Sequence, residues 1–275
     1  MAIKIIATDL DGTLMAPDHL TVTQRTVNAL KEASRRGVKI AVATGRTFSI
    51  IENVIEQIPF ADYIIYSNGA GVYDIKKQKI IFSDFIPAGE AAEVISYLNE
   101  IPACYEAYYN GTAYMQSDKA ELFNFDSIPA EFLKALREKM IMCNDILKEL
   151  DGKDIEKINI YYVDKNYLPQ VKDYIDSCEN LIAMNAFDDD IEVTRFGVDK
   201  ACALDGICAR LGFTRDNVIA FGDAQNDCGM LKYASYSFAM GNASALCKES
   251  ARFICESNAN DGLAISVENF VLNQK

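Results

Sequence analysis

A chain of 275 residues, half of them hydrophobic and 24% charged, has enough apolar material for one large core or two modest ones. Its net charge of −13 and isoelectric point near 4.6 argue against nucleic acid as a partner, because such binding draws its affinity from Lys and Arg that release counterions. Eight scattered cysteines with no Cys-x-x-Cys pair and a single histidine argue against zinc and disulfide frameworks, and no stretch approaches the roughly 18 apolar residues of a membrane span.

In chain order, Ile3 to Thr8 reads as a buried strand, Thr23 to Arg36 as an amphipathic helix and Val38 to Ala43 as a second strand. Thr21 and Gln24 have capping-box spacing at the helix start, and Gly37 suits the left-handed residue that ends it. Thr47 to Gln57 reads as a helix and Tyr63 to Ser67 as a third buried strand. Asn68-Gly69-Ala70-Gly71 then turns the chain into a strand-like stretch from Ile80 to Phe85.

From about Asp84 to Asp188 the texture becomes mixed. Tyr105 to Met115 is strand-like, Ala130 to Met140 helical, Ile158 to Val163 a strand and Tyr167 to Ser177 a helix. The α/β alternation then resumes with a helix from Asp199 to Leu211, a strand from Asn217 to Phe221, a helix from Asp227 to Tyr233 and a strand from Tyr236 to Met240. The expectation is a doubly wound parallel-sheet α/β core from residues 1–83 and 189–275, with residues 84–188 inserted as an α+β cap. Cytoplasmic location and a monomeric or weakly homo-oligomeric state are the accompanying expectations.

Asp9-Leu10-Asp11-Gly12-Thr13 places two carboxylates at the carboxyl end of the first strand, and Asp223 with Asp227 follows the strand that ends at Phe221. In an open parallel sheet those ends converge on one crevice. Four crowded acids repel each other, and a hard divalent cation such as Mg²⁺ relieves the repulsion. Asp9 and Asp11 alternate along the strand with Leu10 between them, so both can address one substrate, one attacking phosphorus and the other exchanging a proton. Asp-x-Asp-Gly alone also reads as a turn; the second acidic cluster is what favours chemistry. A transferring phosphoryl group also needs donors and a cation. Thr44 and the backbone amides around Gly45 and Arg46 stand at a strand end, and Lys200 opens a helix where its charge opposes the dipole unless an acid or an anion meets it.

In order and spacing, Asp9-Leu10-Asp11-Gly12-Thr13, Thr44-Gly45-Arg46, Lys200 and Gly222-Asp223-Ala224-Gln225-Asn226-Asp227 resemble the four motifs of the haloacid dehalogenase-like superfamily. The long insertion and the Ser67-Asn68-Gly69-Ala70 turn resemble its Cof-type branch, whose members carry a large α/β cap. The resemblance implies a Mg²⁺-dependent phosphatase that acts on a small phosphorylated metabolite, a sugar phosphate or a phosphorylated cofactor, through an aspartyl-phosphate. It implies Asp9 as nucleophile and Asp11 as acid/base, with Thr44, Gly45, Lys200 and Asn226 on the phosphoryl group. Arg46 and Asn68 would stand at the substrate mouth. The metal would be held by Asp9, Asp223 and the backbone carbonyl of Asp11, with Asp227 in support. Ala201 and Ala224 depart from the pattern, standing where the family has Gly. A phosphomutase-type transfer or a non-catalytic regulatory module remains as an alternative.

The cap is expected to read the substrate, with Tyr105-Glu106-Ala107-Tyr108-Tyr109-Asn110 either lining a pocket or packing a strand face. The run Asp188-Asp189-Asp190 reads as a solvated hinge, His19 as an exposed loop residue and the cysteines as core fillers.

Overall fold

The computed structural model describes residues 2–122, 140–185 and 191–273. The chain divides into two compact units, one of Met1–Arg46, Ile51–Ser83 and Asp199–Lys275, the other of Thr47–Ile50 and Asp84–Val198.

The first unit opens with β1 (Ile5–Asp9), α1 (Gln24–Arg35), β2 (Lys39–Ala43), α2 (Glu52–Gln57), β3 (Tyr63–Tyr66), β4 (Gly71–Asp74) and β5 (Lys79–Ser83). The inserted unit carries α3 (Ala88–Asn99), β6 (Ala103–Tyr109), β7 (Thr112–Gln116), β8 (Met140–Cys143), α4 (Ile146–Glu149), β9 (Lys157–Val163), α5 (Leu168–Ser177), β10 (Leu181–Asn185) and β11 (Ile191–Arg195). The first unit then resumes with α6 (Lys200–Leu211), β12 (Val218–Gly222), α7 (Cys228–Tyr233), β13 (Tyr236–Ala239), α8 (Ala245–Ser250), β14 (Phe253–Ile254) and α9 (Gly262–Val267).

The sheet of the first unit runs β14-β13-β12-β1-β2-β3-β4-β5. Pairings from β14 through β3 are parallel, and β4 and β5 join antiparallel at one edge. The sheet is therefore mixed rather than wholly parallel. The turn at Ser67–Gly69 is too short for a crossover, so β4 can only fold back beside β3. All five residues of β1 and of β12 are buried, as expected of central parallel strands. Because β12, β1, β2 and β3 are parallel, the chain leaves all four at the same edge of the sheet, at Asp223, Leu10, Thr44 and Ser67.

Several local expectations shift. The cap of α1 is Thr23, whose hydroxyl accepts from the Thr26 amide, while Thr21 instead donates to Asp18. An acceptor two residues nearer the helix reaches the orphan amide directly. Gly37 is left-handed, at φ +87°, and the Val38 amide reaches back to the Ala33 carbonyl, as the Gly37 reading required. The helix read over Thr47 to Gln57 is broken into a 3₁₀ turn at Phe48–Ile50 and α2. That segment is rich in β-branched and aromatic residues of low helix propensity, and the residue at the N-cap of α2, Ile51, has no side-chain acceptor to offer.

The inserted unit is built on a six-stranded sheet, β10-β11-β9-β6-β7-β8. Among the described residues, only the β7–β8 pairing of this sheet is parallel. Tyr105 to Met115 becomes the hairpin β6–β7, turned by Asn110 and Gly111 at φ +51° and +76°. Tyr105, Ala107, Ile158, Ile160 and Val193 lie on one face, in a core shared with α3, α4 and α5. The sheet also takes in β11, so the inserted unit runs past residue 188, where the sequence reading closed it. Of the helix read over Ala130 to Met140, residues 130–139 lie outside the described residues, as does the Asp188–Asp190 run, and Met140 opens β8. Among the described residues, no helix is long and apolar enough to cross a membrane.

Candidate active site

The site is assembled at the carboxyl edge of the first unit's sheet. Asp9 ends β1 and is 5% exposed. After it the chain makes a tight turn closed by the Met15 amide on the Leu10 carbonyl, with Gly12 at φ +75°. A Cβ at Gly12 would stand 2.4 Å from Asp223 Oδ2, so glycine is required both by the backbone and by the acid pressed against it. Thr13 follows and donates to Asp223 Oδ1 at 2.6 Å.

Lys200, the first residue of α6, is 1% exposed. Its Nζ donates to Asp9 Oδ1 at 2.6 Å and to Asp227 Oδ1 at 2.7 Å. The lysine that looked misplaced at a helix start is thus met by two acids. Burial alone would depress its ammonium, but Asp227 and Asp9 outweigh burial and hold it above the usual lysine range. The other oxygen of Asp227 accepts from the amides of Asp223 and Ala224, at 2.9 and 3.0 Å, which ties the acidic loop to itself.

Burial pushes the Asp9 carboxyl well above the usual range, and the charge of Asp227 adds to this, with Lys200 opposing. Burial likewise pushes Asp223 up to about 6, with the Thr13 hydrogen bond opposing. Asp9, Asp223 and Asp227 each offer an oxygen within 4.8 Å of the others. Three hard oxygen donors gathered this closely suit a divalent cation of the Mg²⁺ kind.

Asp11 takes a different environment. Its carboxylate is gripped by Arg46, Nε to Oδ2 at 2.8 Å and Nη2 to Oδ1 at 2.5 Å, and lies 3.1 Å from His19 Nδ1. Burial raises its pKa, but the hydrogen bonds and charge of Arg46, with His19 adding, carry it below the usual carboxylate range. The Asp11 carboxylate is not part of the three-acid cluster. Arg46, read from sequence as a residue of the substrate mouth, is the partner of this acid.

Thr44 is buried, and its hydroxyl accepts from the Arg46 amide at 3.0 Å. Asn68 is buried and left-handed at φ +57°; its amide donates to the Thr44 carbonyl and its Oδ1 accepts from Asn226 Nδ2 at 3.0 Å. A Cβ at Gly45 would approach Asn68 Oδ1 to 3.0 Å, so the β2 and β3 loops pack side by side. The sequence residues therefore fall into contacting sets, Asp9 with Lys200 and Asp227, Asp11 with Arg46, and Asn68 with Asn226. Thr13 had no role of its own in the sequence reading, and His19 was read only as an exposed loop residue. The Thr13 position inside the first motif was the one available signal, and His19, though exposed, touches Asp11.

A family model for haloacid dehalogenase-like hydrolases matches residues 6–266. The chain is 29% identical to the 5-amino-6-(5-phospho-D-ribitylamino)uracil phosphatase YcsE of Bacillus subtilis (strain 168), over 98% of this chain and 96% of that protein. It is 24% identical to the pyridoxal phosphate phosphatase YbhA of Escherichia coli (strain K12), over 96% and 97%. Among solved structures, the phosphatase BT1666 of Bacteroides thetaiotaomicron superposes with a TM-score of 0.81 at 25% identity, covering 98% of this chain and 95% of that one.

Proposed function

The chain belongs to the haloacid dehalogenase-like hydrolases, and from that premise we propose that it is a Mg²⁺-dependent phosphatase of a small phosphorylated metabolite, working through Asp9. The observation that carries this reading is the buried arrangement of Lys200 between Asp9 and Asp227, with Asp223 alongside.

In this reading an Asp9 oxygen attacks phosphorus as the bond to the leaving oxygen breaks, and Asp11 gives that oxygen a proton, which requires the Arg46 grip that favours its ionised form to loosen when substrate binds. Asp11 then takes a proton from water as the water attacks phosphorus and the bond to Asp9 breaks, returning the carboxylate and releasing phosphate. Lys200 holds charge on the transferring group, with Thr44, the Gly45 amide and Asn226 as further donors. Arg46 orients Asp11 through its two-point grip, and Asn68 orients Asn226. Asp9, Asp223 and the Asp11 backbone carbonyl would hold Mg²⁺, with Asp227 in support. When bound, the ion supplies the positive charge that keeps these acids ionised together and neutralises the phosphate. The inserted unit selects the substrate, a sugar phosphate or a phosphorylated cofactor. Relatives named for a phosphoribitylamino uracil and for pyridoxal phosphate support a small phosphate ester.

The test is phosphate release from a panel of such esters, with Mg²⁺ and with chelator, for the native protein and Asp9→Asn. Metal-dependent release lost in the variant is expected. Equal release by Asp9→Asn would sink the assignment of the nucleophile.

A further inference from the structure

The turn after Asp9 carries the backbone carbonyl given above to the metal. Asp11 has ψ 126°, outside the helical range, and Gly12 stands at φ +75° and ψ −2°. Glycine lacks the Cβ that restricts rotation, so movement about Gly12 swings the peptide planes on either side of it, the Asp11 carbonyl among them, unless a contact from outside holds them. The Met15 amide closes the turn on the Leu10 carbonyl, a bond that spans Gly12 without touching it.

The outside contacts come from the far end of the chain. Asn242 Nδ2 donates to the Gly12 carbonyl at 2.8 Å, and Asn258 Nδ2 donates to the Met15 carbonyl at 2.9 Å. The two asparagines are themselves joined, because the Asn258 amide donates to Asn242 Oδ1 at 3.1 Å. A backbone amide can only donate, so this bond fixes which end of the Asn242 side chain faces Gly12. A Cβ at Gly241 would stand 2.9 Å from the Ser257 nitrogen, so the segments that carry the two asparagines lie against each other.

Asn242 sits in the turn between β13 and α8. In the same turn the Met240 amide donates to the Gly222 carbonyl at 3.0 Å and the Ser244 amide to the Asp223 carbonyl at 2.9 Å. One short turn thus holds both loops of the acidic cluster. It holds the loop after β12 through backbone amides, which any side chain at 242 would leave in place, and the loop after β1 through the Asn242 side chain. Thr13 also ties the second of these loops to Asp223, but not through the Gly12 peptide.

We infer that Asn242, steadied by Asn258, is a positioning residue for the divalent cation: it fixes the Gly12 peptide and thereby the direction of the Asp11 carbonyl. The inference rests on the Mg²⁺-dependent phosphatase reading and adds to it two residues outside the four sequence motifs. A carbonyl binds a cation through an oriented dipole, so its contribution falls as it turns away.

The experiment uses Mn²⁺ as the probe, since its free-ion electron paramagnetic resonance signal is lost on binding, with Mg²⁺ as competitor. Dissociation constants are compared for the native protein, Asn242→Ala, Asn258→Ala and Thr23→Ala. The last removes the cap of α1 without touching Gly12 and so controls for a general loosening. Loss of a group that orients a metal ligand costs on the order of tenfold in affinity, which is the rise in dissociation constant expected for Asn242→Ala. A smaller rise is expected for Asn258→Ala and none for Thr23→Ala. In assays of phosphate release, excess Mg²⁺ should return kcat of Asn242→Ala to the native value. Unchanged affinity in Asn242→Ala, equal weakening in Thr23→Ala, or a loss of kcat that excess Mg²⁺ does not repair overturns the inference. Should Asn242→Ala fail to fold, Asn258→Ala carries the test: affinity weaker than that of Thr23→Ala supports the inference, and equal affinity overturns it. A native protein that takes up neither ion overturns the metal reading, and this inference with it.

Discussion

Replacing Lys200 by Met tests the electrostatic core of the site. The lysine side chain is fully buried, and its ammonium stands 2.6 Å from Asp9 and 2.7 Å from Asp227. Met retains most of its volume and removes its charge. Two buried carboxylates are then left facing each other with Asp223 nearby, and removal of one partner from a buried ion pair costs about 3–5 kcal/mol. At roughly 2–4 °C per kcal/mol for units of about 150–250 residues, the expected fall in Tm is about 6–20 °C in the presence of chelator. The pH dependence has a definite sign. The Asp9 carboxyl is raised by burial and by Asp227 against the pull of Lys200, so loss of the lysine raises it further. A carboxyl raised in the folded state destabilises the fold as pH climbs through its folded pKa and ceases to do so below its unfolded value of about 3.9. The deficit is therefore largest near neutrality and shrinks toward acid, and added Mg²⁺ should restore part of it. Thermal melts of both proteins with chelator and with Mg²⁺, from about pH 8 to about pH 5, provide the measurement. A deficit under about 1 kcal/mol, well short of that expected for a broken buried pair, or one independent of pH, would refute the reasoning.

Other consequences follow from neighbouring contacts. Thr13→Val removes the hydrogen bond that opposes the upward shift of Asp223; its carboxyl should climb beyond about 6, and Mg²⁺ titrations of activity should show the half-saturating concentration rising more at about pH 6 than at about pH 8. Gly12→Ala puts a methyl 2.4 Å from Asp223 Oδ2 at a left-handed residue. That displaces the acid and strains the turn by roughly 1–2 kcal/mol, so the same titration should weaken at least tenfold while far-UV circular dichroism stays native. Arg46→Ala frees Asp11 from the grip that outweighs its burial, so its pKa should rise. The stability contributed by the pair is present above the unfolded carboxyl pKa and lost as pH falls through the lowered folded value. The difference in Tm between native and variant should accordingly close below about pH 4, and a gap that persists there would count against the pairing.

The parts of the site that were legible in the sequence are those written in local pattern. Alternation and apolar runs placed Asp9, Thr44 and Asp223 at strand ends, and parallel strands bring their ends to one edge whatever fills the rest of the chain. The β4 strand and β11 were less legible. Gly71–Asp74 is four residues long, and β11 follows a segment whose acidic run read as a hinge. The N-cap of α1 was misplaced because two threonines stand two residues apart, and propensity does not choose between them.

By itself, the sequence determined the order of the strands' functional ends, the acidic and cationic residue types they carry, and the family those motifs belong to. Tertiary structure alone decided which of those side chains meet. Lys200 reaches Asp9 across 191 positions of chain and Asp227 across 27, Arg46 closes on Asp11, Thr13 steadies Asp223, and Asn242 meets the Gly12 carbonyl. Periodicity records how each segment turns its own faces, whereas the distance between residues far apart in the chain is set by strand register and packing, which no local pattern contains.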